Sequence, residues 1–372
     1  MGDDGGPGGG TMPTLALLTS GGDAPGMNTA VAAATKVAVG QGAEVLGVMD
    51  GYEGLMAGRM EALDARRVDG IWHRGGTVLG SARSERFRTP EGRSEAARQL
   101  AARGVDALVV IGGNGSLTGG RLLAAEHGVP VIGIPASIDH DLACTSHALG
   151  VDTALNTIID ACDRISDTAR SHHRCFVVEV MGRQCGYLAM AAAIGAQADA
   201  VLFREQGKDE ETLAAELSRL MVEAVRDRGK KRLLIIKAEG VEVPTERIVA
   251  RLEQASAEHG LGMGVRTTVL GHVVRGGSPT FRDRLVAGRL AHGAVWAALA
   301  APDEVRAAAA REGLMVGWEP REPGGTATPD RSVRLFSLDR VLEQTDALLS
   351  GAHPTTRSRV RLLGAVQGVL AL

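Results

Sequence analysis

The sequence predicts an α/β protein of two Rossmann-like lobes, each a mostly parallel sheet flanked by helices. Three observations lead there. Short apolar runs ending at glycine or acidic turns alternate with helix-like segments, the pattern of a doubly wound sheet. The chain has 372 residues, more than one hydrophobic core organises well. Apolar residues make up 44% and charged residues 23%, an ordinary globular balance, while 3% aromatic content leaves the cores to Leu, Val, Ile and Ala.

Taken in order, residues 1–12 are acidic and glycine-rich, lack the basic and apolar regions of a targeting peptide, and read as a flexible leader. Residues 14–19 form an apolar run stopped by Ser20-Gly21-Gly22-Asp23-Ala24-Pro25-Gly26; an Ala/Val-rich helical segment, 28–40, follows. Further strands are expected at 44–49, 107–111 and 131–134, completing a first lobe over 13–150. A second lobe over 151–275 has strands at 175–180, 200–203 and 233–236 and amphipathic helices at 210–227 and 245–259. Residues 276–350 are expected to return to the first lobe as helices, the first over 282–301, with a Pro/Gly-rich surface loop at 319–330. The tail, 351–372, carries no clear signal.

The charge balance, 41 basic against 44 acidic residues, gives a net −3, so no global basic field invites nucleic acid or an anionic membrane. No apolar stretch reaches the 18 or so residues of a membrane span, and a cytoplasmic location is expected. Cys144, Cys162, Cys175 and Cys185 form no C-x-x-C pair, which favours free thiols in a reducing compartment over disulfides or a metal site.

Four groups of residues carry chemistry. Ser20-Gly21-Gly22-Asp23 and Gly112-Gly113-Asn114-Gly115-Ser116 each place backbone N–H groups ahead of a helix, where exposed donors and the helix dipole favour phosphate. Neither matches a P-loop or dinucleotide pattern, so a plain tight turn stands equally open for each. Asp139 and Asp141 in Pro135-Ala136-Ser137-Ile138-Asp139-His140-Asp141 lie on one side of an extended segment; one could take a hydroxyl proton while the other organises a cation, or either could cap a helix. Arg83, Arg174, Arg183, Arg266, His272 and Arg275 stand beside glycine turns or strand ends and suit oxyanions.

These segments, with Gly75-Gly76-Thr77, Gly80-Ser81-Ala82-Arg83, Val178-Glu179-Val180-Met181-Gly182-Arg183 and Leu270-Gly271-His272-Val273-Val274-Arg275-Gly276-Gly277-Ser278-Pro279, resemble the bacterial phosphofructokinases. The resemblance spans roughly residues 15–292 in the family's order. It implies the phosphofructokinase fold, a nucleotide-binding first lobe, a sugar-phosphate-binding second lobe, and ATP-dependent phosphorylation of fructose 6-phosphate at C1. Gly21, Tyr52, Arg83, Ser84, Asn114, Gly115 and Ser116 would meet ATP, with Asp139 as general base and Asp141 and Arg183 beside it. Ser137, Arg174, Met181, Gly182, Arg183, Glu239, Arg266, His272 and Arg275 would hold the sugar phosphate, Arg174 and Arg266 by reaching into a neighbouring subunit of a homotetramer.

The sequence departs from the family at Asn114, where an Asp usually binds the Mg²⁺ that accompanies ATP. The resemblance then leaves a weakened metal position shared with Asp141. It also leaves two alternatives: a catalytically weak regulatory paralogue, or a kinase for a related sugar phosphate. Gly115 and Ala136 replace the Asp and Lys of pyrophosphate-using relatives and so imply ATP as donor. Ala32, Ala65 and Ser166 occupy positions of effector-binding arginines, although Lys230 and Lys231 persist, which implies weak control by ADP or phosphoenolpyruvate.

Overall fold

Seven consecutive buried residues form the first strand, β1 (Thr14–Ser20), apolar on both faces as a strand between two helical layers must be. Leu15 and Leu17 point into one core with the first helix, while Ala16 and Leu18 point into a second core with Leu55, Phe87 and Leu117. The computed structural model describes residues 12–361; residues 1–11 of the expected leader and 362–372 of the expected tail lie outside that range.

After β1 the chain runs through α1 (Met27–Gly40), β2 (Glu44–Val48), α2 (Gly51–Met56), β3 (Met60–Ala62), α3 (Pro90–Ala102), β4 (Ala107–Gly112), α4 (Asn114–His127), β5 (Val131–Pro135) and α5 (Val151–His172). The second lobe holds β6 (Arg174–Val180), α6 (Tyr187–Gly195), β7 (Ala200–Leu202), α7 (Glu210–Val222), β8 (Arg232–Ala238), α8 (Thr245–Glu258) and β9 (Gly264–Val269). The return comprises α9 (Phe281–Leu299), α10 (Asp303–Glu312), β10 (Leu314–Trp318), β11 (Thr326–Ala327), β12 (Val333–Ser337) and α11 (Leu338–Leu349).

The first sheet has eight strands in the order β11-β12-β10-β5-β4-β1-β2-β3. Its five central strands are parallel, and the pairings of β12 with β10, β11 with β12 and β3 with β2 are antiparallel. The chain passes from β1 to β2 on one side and then to β4 on the other, so the order reverses between β1 and β4. The second sheet, β7-β8-β6-β9, is all parallel and reverses between β6 and β9. Ligands of open α/β sheets bind beyond the carboxyl ends of strands at such reversals. Each lobe therefore offers one crevice.

The return segment corrects the expectation of helices alone. Three of its elements are strands, and β10 pairs in parallel with β5, Leu314 opposite Ile132. Local pattern hid this, because β10 is a five-residue run buried throughout, too short for periodicity to separate from a helix fragment. The surface loop expected at 319–330 includes β11, and the helix expected at 210–227 ends at Val222 and continues as a π-helical turn, Glu223–Asp227. Residues 354–361 of the tail are helical.

Asp283 ties the lobes together. It is fully buried in the first turn of α9 and accepts from the Gly150 amide (3.0 Å), the Thr153 amide (2.9 Å) and the Thr153 hydroxyl (2.5 Å). His147 Nε2 lies 2.9 Å away. Four partners compensate a carboxylate that would otherwise cost several kcal/mol to bury.

Candidate active site

At the β1–β4 reversal the backbone is shaped by glycines. Gly21 has φ +87°, which only glycine adopts readily, and its carbonyl accepts the Ser81 hydroxyl at 2.6 Å. A Cβ on Gly22 would stand 2.6 Å from Arg275 Nη1, so glycine is what lets this guanidinium lie against the turn; it donates to Asp23 O at 3.2 Å. The facing loop is tethered in turn, since the Thr19 hydroxyl donates to Gly80 O at 2.8 Å. That places Arg83 and Ser84 on the wall of the crevice. Arg83 is exposed and has no carboxylate partner among the described residues, whereas the Ser84 hydroxyl is committed to Glu53 at 2.6 Å.

Helix α4 begins at Asn114 behind Gly113, with no side chain capping it. Its first amides, those of Asn114 and Gly115, keep the unpaired donors and partial positive charge of a helix start, a site that an anion can complete. Tyr52 supports this turn from behind: its hydroxyl donates to Ser116 O at 2.7 Å and its ring stacks on Phe87 at 3.8 Å. A Cβ on Gly115 would meet nothing within 4 Å, so that position opens directly into the crevice.

The two aspartates stand beyond β5. The Ser137 hydroxyl donates to Asp141 Oδ1 at 2.6 Å. Asp139 Oδ1, by contrast, is buried and accepts no hydrogen bond. Burial, the Asp141 charge and the Glu239 charge push the Asp139 carboxyl up to about 6, against the opposing pull of Arg275. Between them His140 has φ +51°, a strained backbone for a side-chain-bearing residue of the kind that gathers at functional sites.

Together these parts enclose a cleft of about 640 Å³. Gly21, Tyr52, Arg83, Ser84, Asn114, Gly115, Ser116, Ser137, Asp139, Asp141 and Arg275, all singled out from the sequence, line it. Met181, Gly182, Arg183, Glu239 and His272 stand beyond it at the β6–β9 reversal. There Gly182, φ +132°, donates its amide to Glu239 Oε1 at 3.4 Å, and a Cβ on Gly240 would stand 2.2 Å from Arg183 O. His272 sits in the 3₁₀ turn Gly271–Arg275 that leads from β9 to Arg275.

Arg174 and Arg266 are not brought to this cleft. Arg174 opens β6 and Arg266 pairs with Phe176, at the amino-terminal end of the sheet. Six strand steps separate Arg174 from Val180, about 20 Å of extended chain. Residues that sequence reasoning passed over also line the cleft: Gln184, whose signal was its place beside Arg183, and Phe87, Arg88 and Arg93. Arg93 is buried and bidentate to Glu126 (2.6 and 2.8 Å), a structural pair.

Among the described residues no group of three or more His, Cys, Asp or Glu could cage a metal. The cleft instead offers one Asp141 carboxylate and the Asn114 amide, which fits an ion that arrives on phosphate oxygens and keeps most of its water. Of the positions where the resemblance implies effector-binding residues in relatives, Ser166 accepts from Arg232 at 2.8 Å and Lys230 pairs with Asp199 at 2.8 Å. All four cysteines are buried and unbridged.

Residues 14–298, from β1 through α9, match the family described as Phosphofructokinase. The chain belongs to the phosphofructokinase family. Among curated proteins it is 48% identical to the ATP-dependent 6-phosphofructokinase of Thermotoga neapolitana over 74% of this chain and 83% of that one. It is 41% identical to ATP-dependent 6-phosphofructokinase 1 of Thermus thermophilus over 91% of this chain and 100% of that one. Among solved structures it is similar to the phosphofructokinase of Saccharomyces cerevisiae, with a TM-score of 0.80 and 32% identity over 94% of this chain. The match spans 48% of the yeast chain, about half its length. The loops after β1, β4, β6 and β9 and the Asp139 loop fall inside the matched phosphofructokinase region; β10, β11, β12 and the helical segment 354–361 lie beyond it. No helix among the described residues is long and apolar enough to cross a membrane.

Proposed function

We propose that this chain is an ATP-dependent 6-phosphofructokinase, a phosphotransferase of glycolysis that moves the γ-phosphoryl group of ATP to the C1 hydroxyl of fructose 6-phosphate. The relatives at 48% and 41% identity carry that enzymatic name, so a purely regulatory role is not favoured. The observation that carries the chemistry is the half-buried Asp139 carboxyl, with no hydrogen-bond partner on Oδ1, on the wall of a cleft that also holds an uncapped helix start.

The acceptor hydroxyl donates to the Asp139 carboxylate, which takes its proton as the oxygen attacks the γ-phosphorus; the bond to the β-phosphate oxygen breaks and ADP leaves. A carboxyl raised to about 6 is basic enough to hold that proton and remains ionised at neutral pH. The Asn114 and Gly115 amides and Arg83 steady the phosphates, and Arg275 offsets charge between nucleotide and base. Mg²⁺ held on ATP would meet Asp141 and the Asn114 amide oxygen, and when bound it draws charge from the phosphates.

Arg174 and Arg266, distant from their own cleft, are read as serving a neighbouring subunit in a homotetramer. Exposed Val269 (58%), Val273 (61%) and Phe281 (79%) supply apolar surface for such contacts. A cytoplasmic location accompanies this reading.

The test is fructose 6-phosphate-dependent ADP formation across a magnesium titration in the parent, Asn114→Asp and Asp139→Asn. Asp139→Asn is expected to lose about 10²–10⁴-fold in kcat. Asn114→Asp is expected to reach half-saturation at lower magnesium. A parent without turnover at any magnesium level, or an Asp139→Asn variant with full activity, would refute the assignment.

A further inference from the structure

His140, between the two aspartates of the cleft, is 4% exposed and holds φ +51°. Its carbonyl accepts from Arg359 Nη1 at 3.5 Å, a long bond in which a full charge faces the carbonyl dipole. Cys185 Sγ lies 4.0 Å from the same oxygen and 3.8 Å from Arg359 Nη1. The Arg359 guanidinium stands over the Tyr187 ring at 4.5 Å, and that ring meets the His140 imidazole with centroids 4.4 Å apart at 61°. Arg359, Tyr187 and His140 form one stack that joins three parts of the chain: the helical segment 354–361, the start of α6 and the Asp139 loop.

The segment that carries Arg359 is itself fastened. The His353 amide donates to Ala347 O at 2.9 Å, the Thr356 hydroxyl donates to Leu348 O at 3.0 Å, and His353 Nε2 lies 3.1 Å from Gln344 Oε1, all on α11. Val360 packs against the larger core. On the loop side, a left-handed conformation at a residue with a side chain persists only where its surroundings hold it. The His140 amide reaches Ser137 O only at 3.4 Å, so little of that hold comes from within the turn. Burial, followed by the Arg359 charge, keeps the imidazole well below its usual pKa, and a neutral ring packs in the stack without repelling the guanidinium.

We infer that Arg359 is a positioning residue for phosphoryl transfer, holding the strained Asp139–Asp141 turn from behind through the His140 carbonyl and the Tyr187 ring. This role rests on the reading of Asp139 as base. Arg359 lies outside residues 14–298, so the brace comes from a part of the chain that the matched family region does not include. It does not line the cleft, and the groups that would meet ATP do not touch it. Loss of the brace therefore misplaces the base while leaving the nucleotide contacts in place, an effect that falls on kcat and spares KM for ATP. A guanidinium suits the task because one planar cation can cover an aromatic face and donate from its edge at the same time.

The experiment compares full-chain variants by kinetics and by hydrogen exchange. In Arg359→Met, which keeps the stem and removes the charge, kcat is expected to fall about tenfold with KM for ATP within about twofold of the parent. Arg359→Lys, which keeps a cation over Tyr187, should recover part of the loss. Guanidinium chloride at a non-denaturing concentration is expected to raise the turnover of Arg359→Ala, whereas urea, of the same shape without the charge, and sodium chloride are not. Exchange of the 136–142 peptide, read by mass spectrometry, reports the brace without turnover and so stands apart from the kinase assignment. It should quicken in Arg359→Met and keep the parent rate in Arg357→Met, whose side chain is exposed on the same segment. Parent kcat in Arg359→Met, parent exchange over 136–142, or exchange quickened equally throughout the chain would each overturn the inference.

Discussion

The Ser137 hydroxyl donates to Asp141 Oδ1 at 2.6 Å, and this bond makes two carboxylates two residues apart chemically unequal. Asp141 has part of its charge satisfied and its orientation set; Asp139 keeps Oδ1 unpartnered. A hydrogen bond to a charged acceptor contributes about 1.5–3 kcal/mol. Ser137→Ala is therefore expected to lower kcat/KM about tenfold and raise the magnesium needed for half-activity, while Ser137→Thr, which keeps the hydroxyl, stays near the parent. Steady-state kinetics at varied magnesium decide it; an alanine variant with unaltered constants would show that Asp141 is not held this way.

The pH profile follows from the Asp139 carboxyl, raised by burial from 3.8 to about 6. A base must be ionised, so kcat/KM for the sugar phosphate is expected to climb as pH rises through about 6 and then level off. The stability effect has the opposite sign. A carboxyl whose folded pKa is raised favours the native state below 3.8 and loses that contribution as pH rises through about 6. Asp139→Asn should thus melt higher than the parent at about pH 8, with the gap closing toward about pH 4. Thermal melts at the two ends would reveal a wrong sign directly.

Gly115 separates folding from donor choice, because a side chain there meets no atom within 4 Å. In Gly115→Asp the carboxylate stands in the first turn of α4, where it adds about 0.3–1 kcal/mol to the helix rather than disrupting it. The same charge faces incoming phosphate. KM for ATP is expected to rise at least tenfold at unchanged or higher Tm, and an unchanged KM would remove Gly115 from the nucleotide path.

Complementation addresses Arg174, which opens β6 at the end of the sheet remote from Met181. If it serves a neighbour's cleft, Arg174→Ala and Asp139→Asn are each nearly inactive alone, and refolding them together restores a fraction of turnover through mixed assemblies. Mixtures no more active than their components would place both lesions in one subunit's site.

What could be read from the sequence divides along physical lines. Strands β1, β4 and β5 are legible because each is a buried run ending at or directly before glycine or proline, and the glycine turns because glycine stands where close approach requires it. Strand β9 was not: only Val265 is buried in it, and Thr267 and Arg266 face outward, so no apolar alternation marked it. Asp283 gave no local signal either. In Phe281-Arg282-Asp283-Arg284 it looks like a surface acid, and its partners Gly150 and Thr153 lie 133 and 130 residues earlier. The site residues were legible as a set, but their division of labour was not. That Ser84 is committed to Glu53 and Tyr52 to the Ser116 carbonyl depends on neighbours brought together by the fold.

The pairing of β10 with β5 bears on how the protein is made. As the chain is synthesised, β5 is complete at Pro135, yet its open side waits for Leu314 and Met315. During that interval a buried-type strand, Val131-Ile132-Gly133-Ile134-Pro135, has a bare edge able to pair with another chain. The entire second lobe must emerge before that edge is closed. Slow passage through residues 151–313 thus lengthens the window for aggregation, and a chain cut short of β10 retains both glycine turns on a sheet that cannot finish assembling.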